Sequence, residues 1–337
     1  MTITSARRSG PEAGLEAATA TVPATATGFP QCWYPMALSS DIEPGEVVGV
    51  DFLDGRAICF RGESGQASVL SAYCRHTGLD LCTADVLGEE IRCPFHYWQY
   101  GGDGSCTKIP VSDRIPEDSS LFAFPTAESL GVVWAFNGTE PLYDVPEFPG
   151  VASDTLALRA ECLGEMHIPH WLATANSMDF QHLEVVHGVP NTVDLDSIEI
   201  TETKIEYDMV WDDPTFGRIE QHIKDFGTNV VSIVGEMAGV RVAQYFAGRP
   251  TPGDGTYGYI VVTVPKAELQ GVAEEVVEGQ LGMAMEYGKG LIADDQRILP
   301  GIRFKADRLV TADRGLSRFL RYVDRYPRAH PSSQYIT

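Results

Sequence analysis

Two short cysteine–histidine pairs constrain the fold of this 337-residue chain more than any other feature of its sequence. They are Cys74-Arg75-His76 and Cys93-Pro94-Phe95-His96, and sixteen residues separate them. Each pair offers one thiol and one imidazole at the spacing of a loop, and both pairs fall at the ends of predicted strands. Because all four side chains are good metal ligands, the two loops are expected to meet around one metal centre.

Two thiolates and two imidazoles in this order are the ligand set of a Rieske [2Fe–2S] cluster. There Cys74 and Cys93 would hold one iron, and His76 and His96 the other. A structural zinc site with Cys2His2 ligands is the alternative. We favour the cluster, because zinc pairs usually read C-x-x-C and H-x3–5-H and not two mixed hooks.

Composition and charge limit the classes of partner. A hydrophobic content of 44% and a charged content of 21% are typical of a soluble globular protein. The net charge of −22 argues against nucleic acid and anionic membranes as partners. We find no apolar run long enough for a transmembrane helix. Residues 1–28 are rich in Ala, Thr, Gly and Pro, which predicts a disordered tail and not a signal peptide. A cytoplasmic location is therefore expected.

The distribution of strand and helix signals predicts two domains. Short β-rich segments broken by turns fill residues 29–140, and a Pro-rich acidic segment follows as a linker. From 150 to 337 we predict a helix near Trp171–His187, several strands with alternating apolar faces, a helical segment over 266–299 and a last amphipathic helix. This order indicates an α+β fold with an antiparallel sheet. No Gly-rich nucleotide fingerprint opens a helix, so NAD and FAD sites are not expected.

A second metal site is predicted on the segment 176–188. Two imidazoles and one carboxylate form the facial triad of non-haem Fe(II) oxygenases, and His182 and His187 are the candidate imidazoles. Their i, i+5 spacing places them about 140° apart on an ideal helix, so the helix must be distorted or end between them. Gly188 and Pro190 mark such an end. Asp179 lies one turn before His182, where its carboxylate could accept the second N–H of that imidazole.

The carboxylate ligand must come from farther along the chain. Asp294 and Asp295 are two acids in an apolar helical context, and a metal would explain a buried carboxylate there. We favour Asp295 over Asp294, while a solvated acidic turn is the alternative. His167 and His170 precede the ligand helix and are interpreted as capping or packing groups.

Taken together, the motifs C-x-H-x16-C-x2-H and N-x-x-D-x-x-H-x4-H resemble those of the oxygenase (alpha) components of Rieske non-haem iron oxygenases. The resemblance implies an all-β Rieske domain followed by a helix-grip, START-like catalytic domain. The boxes CRHTGLDL and CPFHYWQYGGDGSC are most similar to those of the 3-ketosteroid 9α-hydroxylase oxygenase components, which favours a hydrophobic, steroid-like or polycyclic substrate.

The resemblance also implies cofactors and partners. These are a Rieske [2Fe–2S] cluster, a mononuclear Fe(II), O2, and a separate NAD(P)H-dependent reductase with or without a ferredoxin. A head-to-tail homotrimer would place Asp179 between His182 and His96 of the adjacent subunit. An aromatic-acid monooxygenase or O-demethylase of the same family is the first alternative. A Rieske electron carrier fused to a lipid-binding domain is the second, and the sequence leaves the substrate open.

Overall fold

The computed structural model describes residues 28–213, 217–237, 240–305 and 308–337. Residues 1–27 of the predicted tail therefore lie outside the described residues. Within the described part, the architecture is α+β with antiparallel sheets, which confirms the predicted fold class.

Small antiparallel sheets account for the first half of the chain. Their strands are β1 (Phe29–Pro30), β2 (Trp33–Leu38), β3 (Val47–Phe52), β4 (Gly55–Arg61), β5 (Ala67–Ser71), β6 (Asp85–Leu87), β7 (Glu90–Arg92), β8 (Gln99–Gly101), β9 (Cys106–Lys108), β10 (Ala123–Phe124), β11 (Thr126–Ser129) and β12 (Val132–Phe136). One sheet has the order β10-β5-β4-β3 and another β11-β12-β2. The third, β6-β7-β8-β9, lies between the two cysteine–histidine loops and just after them, so it positions them.

A seven-stranded antiparallel sheet dominates the second half. Its strands are β13 (Leu156–Met166), β14 (Glu199–Ile200), β15 (Lys204–Asp213), β16 (Gly217–Phe226), β17 (Val230–Met237), β18 (Val240–Thr251) and β19 (Gly255–Pro265), and β20 (Arg328–Ala329) pairs with β1. The spatial order is β13-β19-β18-β17-β16-β15-β14. β14 and β15 are separate strands because the Thr201 hydroxyl accepts hydrogen bonds from the backbone of Thr203 and Lys204 and so closes a turn between them.

Five helices are described: α1 (His170–Ala175), α2 (Phe180–His187), α3 (Glu274–Ile298), α4 (Arg314–Arg325) and α5 (Ser333–Ile336). The prediction of one helix over Trp171–His187 is wrong. A 3-10 turn follows α1, and Asp179 interrupts the helical backbone at φ −92°, ψ 75°. The Asp179 side chain instead caps α2, because a short carboxylate competes well for the free N–H groups of a helix start.

The helices α3 and α4 are held against the rest of the fold by different contacts. α3 buries Leu281, Ala284 and Met285 against the seven-stranded sheet, and the Gln244 amide donates to the Ala284 carbonyl at 2.7 Å. α4 buries an apolar face that includes Phe319. No described helix combines the length and the apolar character needed to cross a membrane.

The two halves share one hydrophobic core and one buried cation. A single cluster of buried side chains joins Tyr34 and Phe52 of the first half to Phe319 of the second. Arg249 of β18 is 4% exposed. Its guanidinium donates to the backbone carbonyls of Pro35, Met36 and Asp51 and to the Tyr259 hydroxyl. These contacts fix the small sheets against the large one.

Candidate metal centres

The two cysteine–histidine loops have the same backbone geometry. In each loop the cysteine carbonyl accepts from the residue four positions later, Gly78 for Cys74 and Tyr97 for Cys93, at 2.9 Å. The cysteine N–H donates to the carbonyl of the residue after that. Gly78 (φ 77°) and Tyr97 (φ 61°) both adopt the left-handed backbone that this turn requires. The two loops are therefore equivalent halves of one site.

The thiols and the imidazoles of this site differ in their exposure to solvent. Cys74 and Cys93 are buried, whereas His76 and His96 are exposed at the tip with ring centroids 4.5 Å apart. Burial and the neighbouring Cys74 raise the pKa of the Cys93 thiol, so a bound metal is needed to hold it as a thiolate. Two buried sulfurs beneath two exposed imidazoles fit a cluster with one sulfur-held and one histidine-held iron.

Aromatic side chains support the loops. The Tyr100 hydroxyl lies 3.1 Å from the Cys74 sulfur and accepts the Arg75 backbone N–H. His76 stacks on Trp98 with ring centroids 4.8 Å apart and an interplanar angle of 6°. Trp98 and Tyr100 both belong to the box CPFHYWQYGGDGSC, but no role was predicted for either from the sequence. The pairing of β7 with β8 brings Tyr100 to the site.

The second constellation brings His182, His187 and Asp295 together. The His182 and His187 Nε2 atoms are 3.1 Å apart, and they lie 2.9 Å and 3.1 Å from Asp295 Oδ1. Three ligand atoms bonded at ~2.1 Å and at right angles around one ion would be separated by about 3 Å. The observed spacing therefore fits a facial triad. Asp294, the neighbouring acid, is exposed and outside this group.

The helix that carries the two histidines is continuous through both. α2 ends at His187, and Gly188 follows as a left-handed cap (φ 68°). The expectation that the helix is distorted or ends between the histidines is thus not met. The two imidazoles still converge, because the Nε2 atoms of His182 and His187 both lie within 3.1 Å of Asp295 Oδ1.

Hydrogen bonds within and around the triad shift the pKa values of Asp295 and His182. Burial opposes ionisation of Asp295, but hydrogen bonds from His182 and Asn176 outweigh it and lower the pKa of this carboxyl. The Asp295 partner raises the pKa of His182. The Asn176 amide donates to Asp295 Oδ2 at 2.7 Å, which leaves Oδ1 to face the histidines. In the sequence, Asn176 is visible only as the first residue of the motif N-x-x-D-x-x-H-x4-H, and this contact to Asp295 was not predicted.

Asp179 lies directly before the ligand helix. Its Oδ1 accepts the backbone N–H of His182 at 3.0 Å. The prediction had this carboxylate accept from the His182 ring, and the described hydrogen bond goes to the backbone because Asp179 is the helix cap. Burial raises the pKa of Asp179, and the hydrogen bond from His182 opposes this shift.

A mostly apolar cavity opens beside the triad. It encloses about 900 Å³, including space open to solvent. His187, Asp295 and Asn176 line one part of it, and the apolar part is lined by residues from α1–α3 and the sheet, among them Leu183, Val231, Ile233, Phe246 and Ile292. His170, interpreted from sequence as a capping or packing group, also lines this cavity.

Comparisons with known proteins identify the first metal-binding region. Residues 32–125 match the Rieske [2Fe–2S] domain family. Cholesterol 7-desaturase nvd 1 of Ciona intestinalis is 32% identical over 171 residues, which are 49% of this chain and 36% of that protein. The oxygenase component of 3-ketosteroid-9-alpha-monooxygenase from Rhodococcus rhodochrous is 35% identical over 152 residues, 44% of this chain and 39% of that one. The matches thus span well under half of these curated relatives.

A solved structure extends the similarity to most of the fold. Dicamba monooxygenase bound to dicamba superposes with a TM-score of 0.70 at 17% identity, over 88% of this chain and 97% of that one. Together these comparisons confirm the predicted resemblance to the oxygenase components of Rieske non-haem iron oxygenases. The predicted cofactors, a [2Fe–2S] cluster and a mononuclear iron, agree with the matched domain and with the His–His–Asp group.

Proposed function

We propose that this protein is the terminal oxygenase of a multicomponent Rieske system. It takes electrons from a separate NAD(P)H-dependent reductase, with or without a ferredoxin, and uses O2 to hydroxylate a hydrophobic, ring-fused substrate. The observation that carries the proposal is that His187 and Asp295 of the triad also line the apolar cavity. A ligand held in that cavity lies directly against the metal site.

Two sets of residues form two separate metal sites with different functions. When bound, the cluster supplies single electrons and the ferrous ion supplies the O2 chemistry. Cys74, His76, Cys93 and His96 would hold the cluster. His182, His187 and Asp295 would hold the iron next to the cavity that binds the substrate. Asn176 fixes the Asp295 carboxylate through its 2.7 Å hydrogen bond.

The cavity favours a neutral, hydrophobic substrate. Most of the residues that line it are apolar, as is usual in small-molecule sites. The described lining residues include no Arg or Lys but do include Asn176 and Asn229, so the aromatic-acid monooxygenase stays the second candidate. The names of the two relatives, a cholesterol desaturase and a ketosteroid monooxygenase, support a steroid-like class of substrate.

Electron transfer between subunits is part of the proposal. The exposed His76 and His96 lie beside Phe95 and Tyr97, which are 61% and 52% exposed. Val185 on the ligand helix is 77% exposed, so each metal site carries its own exposed apolar surface. A head-to-tail ring that joins these two surfaces closes naturally as a trimer. Asp179 would then lie between His182 and His96 of a neighbouring subunit.

The adjacent acids Asp294 and Asp295 offer a matched test. Reconstituted protein is expected to hold about three irons and about two sulfides per chain. Asp295→Ala should lose the mononuclear iron and all hydroxylation of a steroid by the dithionite-reduced protein with O2, while it keeps the rhombic electron paramagnetic resonance signal of the cluster. Asp294→Ala should retain both metals and activity.

The electron-carrier alternative predicts a different result. Wild-type protein would then hold about two irons, and Asp295→Ala would leave iron content and redox behaviour unchanged. Such a result, with full cluster occupancy, would reject the oxygenase. Product formation with about three irons would reject the carrier.

A further inference from the structure

Two polar side chains in the apolar cavity have no function in the oxygenase scheme and also have an incomplete set of hydrogen bonds. They are His170 and Asn229, and both line the cavity together with the triad residues. Each has one buried polar atom without a hydrogen-bond partner among the described residues: Nε2 of His170 and Oδ1 of Asn229. A buried polar atom left unpartnered destabilises a fold, so such atoms in a ligand cavity point to a group that the ligand supplies.

The orientation of the Asn229 amide is fixed by its neighbours. Its Nδ2 donates to the Trp33 carbonyl at 2.9 Å and to the Gly248 carbonyl at 3.0 Å. Because these bonds use both amide protons, the remaining atom is the oxygen, which can only accept a hydrogen bond. The complementary group on a ligand must therefore be a donor.

The His170 imidazole is neutral and partly enclosed. Burial lowers its pKa to about 3. The ring packs edge-on against Tyr34 with centroids 6.3 Å apart. A neutral imidazole nitrogen either donates or accepts, according to its tautomer. A ligand group that can do both is complementary to His170 in either tautomer.

The two residues lie close to the same short segment of β2. Asn229 contacts Trp33 and His170 contacts Tyr34, which are consecutive residues. His170 begins α1, and Asn176, which contacts Asp295, lies six residues later. At 1.5 Å per residue this places His170 about 9 Å along the chain axis from the metal end. His170 thus lies away from the triad although it lines the same cavity.

We infer that His170 and Asn229 form a hydroxyl-recognition site, and that the substrate is a ring-fused alcohol whose hydroxyl binds there while a remote C–H bond faces the triad. This inference rests on the proposed function of the cavity. A hydroxyl donates to Asn229 Oδ1 and exchanges a second hydrogen bond with His170. A ketone can only accept, so it leaves the Asn229 oxygen buried and unpartnered, and a hydrocarbon satisfies neither atom.

Equilibrium binding tests this inference without turnover. The iron-loaded, unreduced protein is titrated with androstan-3-ol, androstan-3-one and androstane, and quenching of tryptophan fluorescence is followed. Wild-type protein should bind the alcohol at least about tenfold tighter than the ketone and the ketone tighter than the hydrocarbon. His170→Phe, which keeps a ring against Tyr34, should reduce the alcohol-to-hydrocarbon ratio to about threefold.

Two further variants test whether a loss of preference comes from the lost hydrogen bond at His170 or from any exchange of a histidine. His170→Gln retains a hydrogen-bonding side chain and should preserve the preference for the alcohol. His222→Phe makes the same exchange at an exposed histidine paired with Asp208, and should leave all three affinities unchanged. Iron content and circular dichroism identify a variant that has not folded. If His170→Phe does not fold, the affinities of wild-type protein and of His170→Gln for the three steroids test the inference.

The outcomes separate this inference from the proposed function. Equal affinity of wild-type protein for the three steroids, as expected if the two atoms only hold a water molecule, overturns the inference. So does an alcohol preference that survives in His170→Phe. If the alcohol binds selectively but the reduced protein with O2 forms no hydroxylated product, the recognition site stands and the oxygenase proposal fails.

Discussion

At the residue scale, the Asp179 carboxylate combines a structural contact with the proposed electron path. Asn is as good a helix N-cap as Asp, so Asp179→Asn should keep α2 and both metal sites. It should nevertheless abolish coupled turnover, because the negative charge proposed to link His182 to His96 of the neighbouring subunit is gone. Iron content, the cluster's paramagnetic signal and product per reductant consumed are the measurements. Near-normal coupled activity would remove Asp179 from the electron path.

Asp225 is a buried acid whose ionisation should make the protein less stable as the pH rises. It is 0% exposed, its Oδ2 lies 2.7 Å from the Ser177 hydroxyl, and burial raises its pKa to about 8. The unfolded chain releases this proton near its ordinary pKa of about 4, whereas the folded chain keeps it to about 8. The stabilisation is therefore present at low pH and is lost as the pH rises through this window.

The variant Asp225→Asn isolates this effect. Between pH 5.5 and 7.5 the free energy of unfolding of wild-type protein should fall by on the order of 2 kcal/mol more than that of Asp225→Asn. Denaturant titrations at the two pH values measure the difference. Asp208→Asn, at an exposed acid, serves as the control and should follow wild type. Parallel pH profiles for wild type and Asp225→Asn would contradict the assignment of a proton to Asp225.

Ligand residues could be predicted from sequence because their chemistry is rare and their spacing is specific. The structure brings His182, His187 and Asp295 to one point, as predicted. Asn176 and the cavity residues Asn229 and His170 could not be assigned. Their amides and imidazole are common in any chain, and their meaning comes from what surrounds them after folding.

At the element scale, the position of the ligand helix depends on α4. A Cβ added at Gly315 would lie 2.5 Å from the Met178 carbonyl and 2.6 Å from the Phe180 ring. Gly315→Ala must push α4 away from the turn that leads into α2. We expect a loss of unfolding free energy on the order of 2 kcal/mol and a lower content of mononuclear iron, with the cluster retained.

Gly290→Ala in α3 is the matched control. Gly290 is exposed and nothing lies within 4 Å of an added Cβ, so alanine should stabilise the helix by about 0.5–1 kcal/mol. Thermal unfolding and iron analysis of the two variants give the comparison. Equal stability of Gly315→Ala and wild type would show that α4 can move without affecting the site.

Helices and strands with a strong apolar periodicity could be predicted from the sequence. Breaks caused by a side chain that hydrogen-bonds to the backbone could not. α4 and the strands β17–β19 follow their apolar periodicity. The break at Asp179 was not predicted, because the surrounding residues favour helix and only the capping hydrogen bond ends it. β13 and β16 contain many charged and polar residues, so their apolar pattern is weak, and they are ordered by pairing with neighbouring strands.

At the scale of the whole molecule, the exposed apolar residues beside the ligand helix predict assembly. Val185→Glu should weaken the proposed trimer and slow multiple turnover, while the iron and sulfide content of each chain stays unchanged. Val276→Glu is the control, because Val276 is an exposed valine too but lies on α3 about 28 Å along the helix from Asp295. Analytical ultracentrifugation and steady-state assays measure both effects. An unchanged Val185→Glu assembly would exclude this surface as the contact.

The guanidinium of Arg249 has a practical consequence for electrochemistry on this protein. It donates hydrogen bonds to three backbone carbonyls of the small sheets, although Arg249 itself lies on the seven-stranded sheet. An excised fragment of residues 28–140 would lose that donor and expose the apolar side chains that Phe319 and its neighbours cover. A reduction potential measured on such a fragment would describe a cluster in altered surroundings, so voltammetry should use the intact polypeptide.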